Sequence, residues 1–147
     1  MTEPDAERLN LGLLLFIPYR YMESAVLDEL RAHGHDIPLN QARVFQRIAP
    51  GGSRLADLAQ AAQVSKQTLG SIVDQLERAG YVERTPDPSD RRARLVTLTA
   101  KGQQLIALSA PVVRRIETAW EARLGRARTQ QLRRILGELR DITDPYA

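Results

Sequence analysis

A group of hydrogen-bonding side chains in the middle of the chain has types and spacing that could do chemistry. A glutamine amide can read the edge of an adenine, hydroxyls can donate to bases or phosphates, and a lysine can neutralise a phosphate. The free backbone amides at a helix start also favour a phosphate. The group therefore has the composition of a base-reading surface. Its members are Ser65, Lys66, Gln67, Thr68, Ser71 and Gln75.

A second group of candidate residues follows, and its charge is carried by Arg84, Arg91, Arg92 and Arg94. An arginine at the end of a two-stranded ribbon can enter a DNA minor groove, whose negative potential is strongest where the groove is narrow. Asp90 precedes two of these arginines closely enough to hold one guanidinium in a fixed orientation. Turns also collect Asp, Pro and Ser, so charge alone leaves a solvated turn as an alternative.

Two predicted helices within residues 55–79 position the first group. The shorter helix begins after Ser53, a candidate N-cap, and the turn 61–64 joins it to the second. Ser65 is the N-cap candidate of the second helix, and Gly80 is its stop signal. One apolar stripe with spacing i, i+3, i+4 and i+7 marks its buried face. The stripe consists of Leu69, Ile72, Val73 and Leu76.

A hairpin is predicted to carry the arginines. The stretches 81–85 and 94–98 alternate and are rich in β-branched residues, whereas 86–93 between them predicts a tip too long for a tight turn. A helix-turn-helix followed by an arginine-bearing hairpin is the order of a winged helix. This order favours DNA binding over the plainer alternative of an amphipathic helix followed by a solvated turn.

Long helices are predicted on both sides of the winged helix, which spans about 38–98. They cover about 8–32 and 99–143, with a break near Gly125 and expected kinks at Pro18 and Pro111. A shorter helix fits 40–49. The long helices hold more apolar residues than one winged helix could cover, which predicts a partner surface, with packing inside one chain as the alternative. The candidates are Leu9, Leu13, Phe16, Ile17, Leu132, Ile135, Leu136 and Leu139.

Composition limits the classes of protein that remain. The 147 residues suffice for one domain, and the absence of cysteine excludes disulfides, thiolate metal sites and thiol redox chemistry. No apolar run reaches the roughly 20 residues of a membrane helix, and the acidic first residues are unlike a basic secretory signal. We therefore expect a soluble cytoplasmic protein that has no membrane partner.

The net charge of +3 is unevenly distributed along the chain. Residues 1–53 sum to −2, residues 54–98 to +1 and residues 99–147 to +4, so any nucleic-acid site must be local. No nucleophile motif or phosphate-binding glycine loop indicates an enzyme. His33 and His35 lack further ligands nearby, so we predict neither a metal nor a cofactor. A winged helix used only for protein interaction would place apolar anchors at 66–75, and this chain has none there.

Several motifs resemble those of the multiple-antibiotic-resistance regulator (MarR) family. They are Leu55-Ala-Asp-Leu-Ala59, Leu76-Glu-Arg-Ala-Gly80, Asp87-Pro-Ser-Asp-Arg-Arg92, Val96-Thr-Leu-Thr99 and Lys101-Gly102. The resemblance implies a single, mainly α-helical domain over 1–147, with a small β-hairpin and a winged helix-turn-helix between long dimerisation helices. It also implies a homodimeric transcriptional regulator that binds double-stranded DNA at a pseudo-palindromic operator, as a repressor released by a small aromatic or anionic effector.

The resemblance also implies roles for particular residues. The recognition helix would run from Ser65 to Ala79, and Arg92 would enter the minor groove with Asp90 positioning it, although Arg91 could exchange roles with it. Arg94 and Arg54 would contact phosphates. An effector would lie near the kink of the first helix, where ordinary interface packing is the alternative. The residues concerned are Tyr19, Arg20, Tyr21, Met22 and Phe45.

Overall fold

The computed structural model describes residues 8–144, and it is mainly helical with a small antiparallel sheet. The predicted fold class is confirmed. The strand order in the sheet is β1-β3-β2. The elements, in chain order, are α1 (Leu11–Ala32), α2 (Leu39–Phe45), β1 (Ser53–Arg54), α3 (Leu55–Ala62), α4 (Lys66–Arg78), β2 (Val82–Asp87), β3 (Asp90–Leu98), α5 (Ala100–Leu124) and α6 (Arg126–Thr143).

The hydrophobic core lies beneath helix α4. The predicted apolar stripe of that helix is buried, and Leu58 of α3, Val96 of β3 and Leu105 of α5 pack in the same cluster. Burial of this stripe leaves the polar residues of α4 on the outside, since the two sets lie on opposite faces of one helix. The core therefore fixes which face of α4 is exposed to solvent.

Local capping signals placed the helix ends correctly at three positions. The Ser65 hydroxyl accepts a hydrogen bond from the Thr68 backbone N–H at 3.1 Å, and Thr99 caps α5 in the same way. Gly80 follows α4 with a φ of +85°, a conformation that favours glycine. Helices α1 and α5 continue through Pro18 and Pro111.

The start of the winged helix differs from the sequence prediction. Ser53 does not cap α3, because it lies in strand β1 opposite Val96 and its hydroxyl accepts a hydrogen bond from the Ala49 N–H at 2.9 Å. Helix α2 ends at Phe45 rather than at 49. The chain leaves the helix early because residues 46–52 must turn to bring β1 alongside β3, a long-range pairing that local signals did not predict.

The hairpin tip is tighter than predicted. Strand β2 continues to Asp87 and β3 starts at Asp90, so two residues connect them. The Asp87 carboxylate closes this turn by accepting hydrogen bonds from the Ser89 N–H at 2.9 Å and from its hydroxyl at 2.8 Å. The ladder pairs Pro86 with Arg94 but Asp87 with Asp90, so residues 91–93 bulge out without partners in β2.

The contact between Gly102 and Tyr81 gives a stability prediction. Gly102 is buried in the first turn of α5, and a Cβ there would overlap the Tyr81 carbonyl oxygen. Gly102→Ala should lower the free energy of unfolding by about 1–3 kcal/mol, measured by urea denaturation. Gly70→Ala is the control, because no atom lies near its Cβ position and alanine should stabilise α4 by up to about 1 kcal/mol. Equal effects of the two substitutions would contradict the close contact.

The two ends of the chain expose large apolar side chains. Helix α6 has no buried residue, and its Ile135 is 47% exposed. In α1, Phe16 and Ile17 are 48% and 49% exposed. The alternative that these faces cover one another within a single chain is therefore not what the structure shows.

Candidate nucleic-acid interface

The N-terminal half of helix α4 presents an open polar surface. Lys66, Gln67, Thr68 and Ser71 are exposed, and the Ser65 hydroxyl also donates to Thr68 Oγ1 at 2.9 Å. The helix start adds backbone N–H groups and its positive dipole end to these side chains. This surface can donate to phosphates and hydrogen-bond to base edges at the same time.

The C-terminal half of the same face is tied to neighbouring elements. Gln75 accepts a hydrogen bond from Gln41 Nε2 of α2 at 2.9 Å. Arg84 of β2 donates to Asp74 at 2.7 Å and to Glu77 at 3.0 Å. The sequence predicts that Gln75 and Arg84 contact a nucleic acid. In the structure both residues make contacts within the chain, which join α4 to α2 and to the hairpin.

A second contact holds the turn at the tip of the hairpin. Arg54 Nε donates to the Asp87 carboxylate at 2.7 Å, and its Nη2 lies 3.3 Å from the Ser89 hydroxyl. Hydrogen bonds from the Ser89 N–H and hydroxyl, with Arg54 beside them, lower the pKa of the buried Asp87 carboxyl. Sequence reasoning missed Asp87 as a functional residue, although the Asp-Pro-Ser turn was a signal for it.

The arginines of the hairpin remain accessible. Arg91, Arg92 and Arg94 are exposed on β3, the first two within the bulge. Asp90 does not hold a guanidinium as predicted, because its carboxylate accepts a hydrogen bond from the Arg92 backbone N–H at 3.0 Å. Asp90 thus fixes the backbone from which the Arg92 side chain projects.

A cavity of about 450 Å³ lies between α1, α2 and α5. Tyr19, Met22 and Phe45, three of the five predicted effector residues, line it. Arg20 and Tyr21 do not, because their positions on α1 turn them away from the cavity: Arg20 donates to Ser24 at 2.6 Å, and Tyr21 is 64% exposed. The rest of the wall is mostly aliphatic.

The polar groups of the cavity are concentrated near one end of α2. Arg43 donates to both oxygens of Glu23, at 2.9 and 3.1 Å, and the Tyr19 hydroxyl donates to Glu23 at 2.9 Å. Gln46 donates to the Tyr19 hydroxyl at 3.0 Å, and Arg114 of α5 lines the cavity as well. The i+4 spacing of Tyr19 and Glu23 could have revealed this pair, whereas Arg43 and Arg114 come from other helices.

Comparison with known proteins identifies the family to which this chain is related. The family model described as MarR family matches residues 35–93. The HTH-type transcriptional repressor Rv2887 of Mycobacterium tuberculosis (strain ATCC 25618 / H37Rv) is 31% identical over 134 residues, which cover 91% of this chain and 96% of that protein. The chain belongs to the MarR family.

Solved structures of MarR-family regulators share its architecture. A crystal structure of MarR superposes with a TM-score of 0.70 at 27% identity, over 90% of this chain and 96% of that one. NadR in complex with 4-hydroxyphenylacetate gives a TM-score of 0.71 at 27% identity, over 89% and 92% of the two chains. This MarR-family protein is a DNA-binding transcriptional regulator with a winged helix, and not an enzyme.

Within residues 8–144, no helix of the regulator has the length and apolar character to cross a membrane.

The Glu23 carboxylate makes the stability of the regulator depend on pH. The hydrogen bonds from Arg43 are the main cause that lowers the pKa of Glu23 below its ordinary value of 4.5. A lowered pKa stabilises the fold above the unfolded-state value, and this contribution is lost as the pH falls through the folded value. Wild type should exceed Glu23→Gln in unfolding free energy by about 1 kcal/mol at neutral pH.

That difference should shrink below pH 4.5 in urea titrations of both proteins. A difference that grows on acidification would contradict the assigned role of Arg43.

Proposed function

We propose that this MarR-family protein is a cytoplasmic homodimer that represses transcription by binding a pseudo-palindromic operator, and that a small aromatic or anionic effector releases it. The main support for the proposal is the pair of exposed surfaces that the winged helix presents. One is the polar N-terminal half of α4, and the other is the bulge of the hairpin with Arg91 and Arg92. These two surfaces differ in the chemistry they offer: side chains suited to base edges, and flexible cations suited to a narrow groove.

The DNA contacts are divided between specificity and positioning. Lys66, Gln67, Thr68 and Ser71 would lie in the major groove, and Gln67 would be the main base reader because an amide can make two hydrogen bonds to adenine. Arg92 would enter the minor groove. Arg94 would contact a phosphate. Arg54 would also contact a phosphate, with the guanidinium hydrogens that its ion pair with Asp87 leaves available.

The exposed apolar faces of α1 and α6 support the homodimer. Contiguous apolar surface of this kind is unusual on a monomer in water and marks an interaction site. A second copy presents the same faces, so a two-fold interface could cover both at once. Two winged helices related by that axis would match an operator with two half-sites.

The cavity supports a small-molecule effector. Its aliphatic walls suit a planar apolar body, and the Arg114 guanidinium could pair with an anionic group. The structure of NadR with 4-hydroxyphenylacetate shows that a neighbour of the same fold binds such a molecule. The cavity touches α2, whose Gln41 contacts the recognition helix, so an occupant could shift α4.

The test begins with the DNA that the protein binds. DNA fragments recovered from a genome-wide pull-down would be aligned, and the best site measured by gel shift at one stated salt concentration, because phosphate contacts make affinity depend on salt. A pseudo-palindrome bound at least about a thousandfold more tightly than competitor DNA is expected. Equal affinity for competitor DNA would overturn the proposal.

The effector is tested on the same complex with 4-hydroxyphenylacetate and other aromatic acids as probes. Release of DNA by one of them is expected, and Arg114→Ala should raise the required concentration about tenfold or more. Arg115→Ala is the matched control, because Arg115 is an exposed neighbour that does not line the cavity. Identical effects of the two variants would argue against Arg114 as the anion partner.

A further inference from the structure

An ion pair at the end of α6 connects the terminal helices to the winged helix. Arg47 Nη2 donates to Asp144 Oδ1 at 2.8 Å, and Arg140 Nε donates to Asp144 Oδ2 at 3.0 Å. The Asp144 side chain is 11% exposed and that of Arg47 is 31% exposed. Arg47 Nε is buried without a hydrogen-bond partner among the described residues, so Asp144 is the main compensation for this guanidinium.

The Arg47 end of this pair belongs to the turn that follows α2. The Arg47 N–H donates to the Val44 carbonyl at 3.0 Å, which joins its backbone to the last turn of the helix. Val44 is buried in the winged-helix core. On the other side of α2, Gln41 contacts Gln75 of the recognition helix. A movement of Arg47 would therefore move α2 and α4 together.

Helix α2 has a second polar attachment to the terminal helices. Arg43 binds Glu23 of α1, four residues before Arg47 binds Asp144 beyond α6. The contacts of Arg43 and Gln46 both lead to α1, so the pair of Arg47 with Asp144 adds an attachment to a different terminal helix. Charge-assisted hydrogen bonds suit this role because they weaken steeply when their geometry changes.

We propose that Asp144 is a positioning residue that, through Arg47, fixes the recognition helix relative to the terminal helices and so sets the separation of the two recognition helices in the dimer. The inference rests on the proposed homodimer and its operator. If Asp144 has this role, its replacement should change the half-site spacing that the dimer prefers, in addition to any change in affinity. One inserted base pair moves a half-site by about 3.4 Å and rotates it by about 35°.

The first experiment measures spacing preference. Wild type, Asp144→Asn and Asp144→Glu are titrated against the natural operator and against operators with one base pair inserted or removed at the centre. The preference of wild type for the natural spacing should fall about tenfold in Asp144→Asn, and Asp144→Glu should restore part of it. Arg133→Gln is the matched control, since it removes another α6 ion pair, with Glu117, inside the terminal helices.

The second experiment measures the separation directly. The chain has no cysteine, so Arg78→Cys at the exposed end of α4 gives one spin label per copy. Pulsed electron paramagnetic resonance on the free dimer would measure the distance between the two labels. The distribution of this distance should be narrow with Asp144 and broader with Asp144→Asn. Thermal denaturation of each variant shows whether it is folded.

The outcomes separate the two proposals. An unchanged distance distribution in a folded dimer, or an equal loss of affinity at every spacing, would overturn the role of Asp144 and leave the homodimer standing. A labelled Arg78→Cys protein that keeps Asp144 and gives no distance between copies would overturn the homodimer, and the positioning role with it.

Discussion

Replacing Arg92 with alanine is expected to weaken operator binding by about 2–6 kcal/mol, at least roughly 30-fold, because the dimer loses about 1–3 kcal/mol at each of two copies. Arg92 lies in the unpaired bulge of β3, and Asp90 holds its backbone N–H. The side chain can therefore reach out of the sheet without breaking a protein contact. Affinity is measured by gel shift or fluorescence anisotropy at constant salt.

Two companion variants decide which arginine enters the minor groove. Arg91→Ala should lower the affinity less than Arg92→Ala if Arg91 stays outside the groove, and the reverse order would exchange their roles. Arg115→Ala on α5 controls for the loss of one positive charge. Wild-type affinity in Arg92→Ala would remove the hairpin from the proposed interface.

Replacing Ile135 with glutamate is expected to separate the dimer and lower operator affinity by more than about 100-fold, because two carboxylates would be buried unpaired in the interface. Ile135 is half exposed in the single chain, so the fold of each copy should persist. A monomer binds one half-site and loses the gain of linked binding at the second. Sedimentation measures the mass, and gel shift measures the affinity.

Gln130→Glu is the matched control for this prediction. It introduces the same charge at an exposed position of α6 that lies about 140° around the helix from Ile135. It should remain dimeric and bind the operator. A dimeric Ile135→Glu protein would show that this face of α6 does not form the interface.

The success of the sequence predictions depended on how far apart the interacting residues are. Ser65 and Thr99 cap helices through backbone groups three residues away, so residue type alone indicated the helix starts. The stripe of α4 followed from helical spacing and is buried as expected. The polar face of α4 opposite that stripe was equally predictable.

Contacts between distant residues were not predictable in the same way. Arg84 was predicted as a DNA contact from its charge and Arg54 from the family resemblance, and each binds a carboxylate that its own position in the chain does not reveal. To predict that Arg20 does not line the cavity, one would have to know which face of α1 is turned towards it, and the sequence does not give that orientation. Ser53 resembled an N-cap, and its pairing with β3 outweighed that preference.

The sequence by itself determined the order of the helices and the hairpin, the winged helix and the polar face of α4, because these follow from periodicity and from neighbours within a few residues. Only the tertiary structure decided which charges remain free to meet DNA and which serve as braces. It also brought Arg47 to Asp144 across 97 positions of the chain. An ion pair depends on distance in space, which periodicity along a chain does not encode.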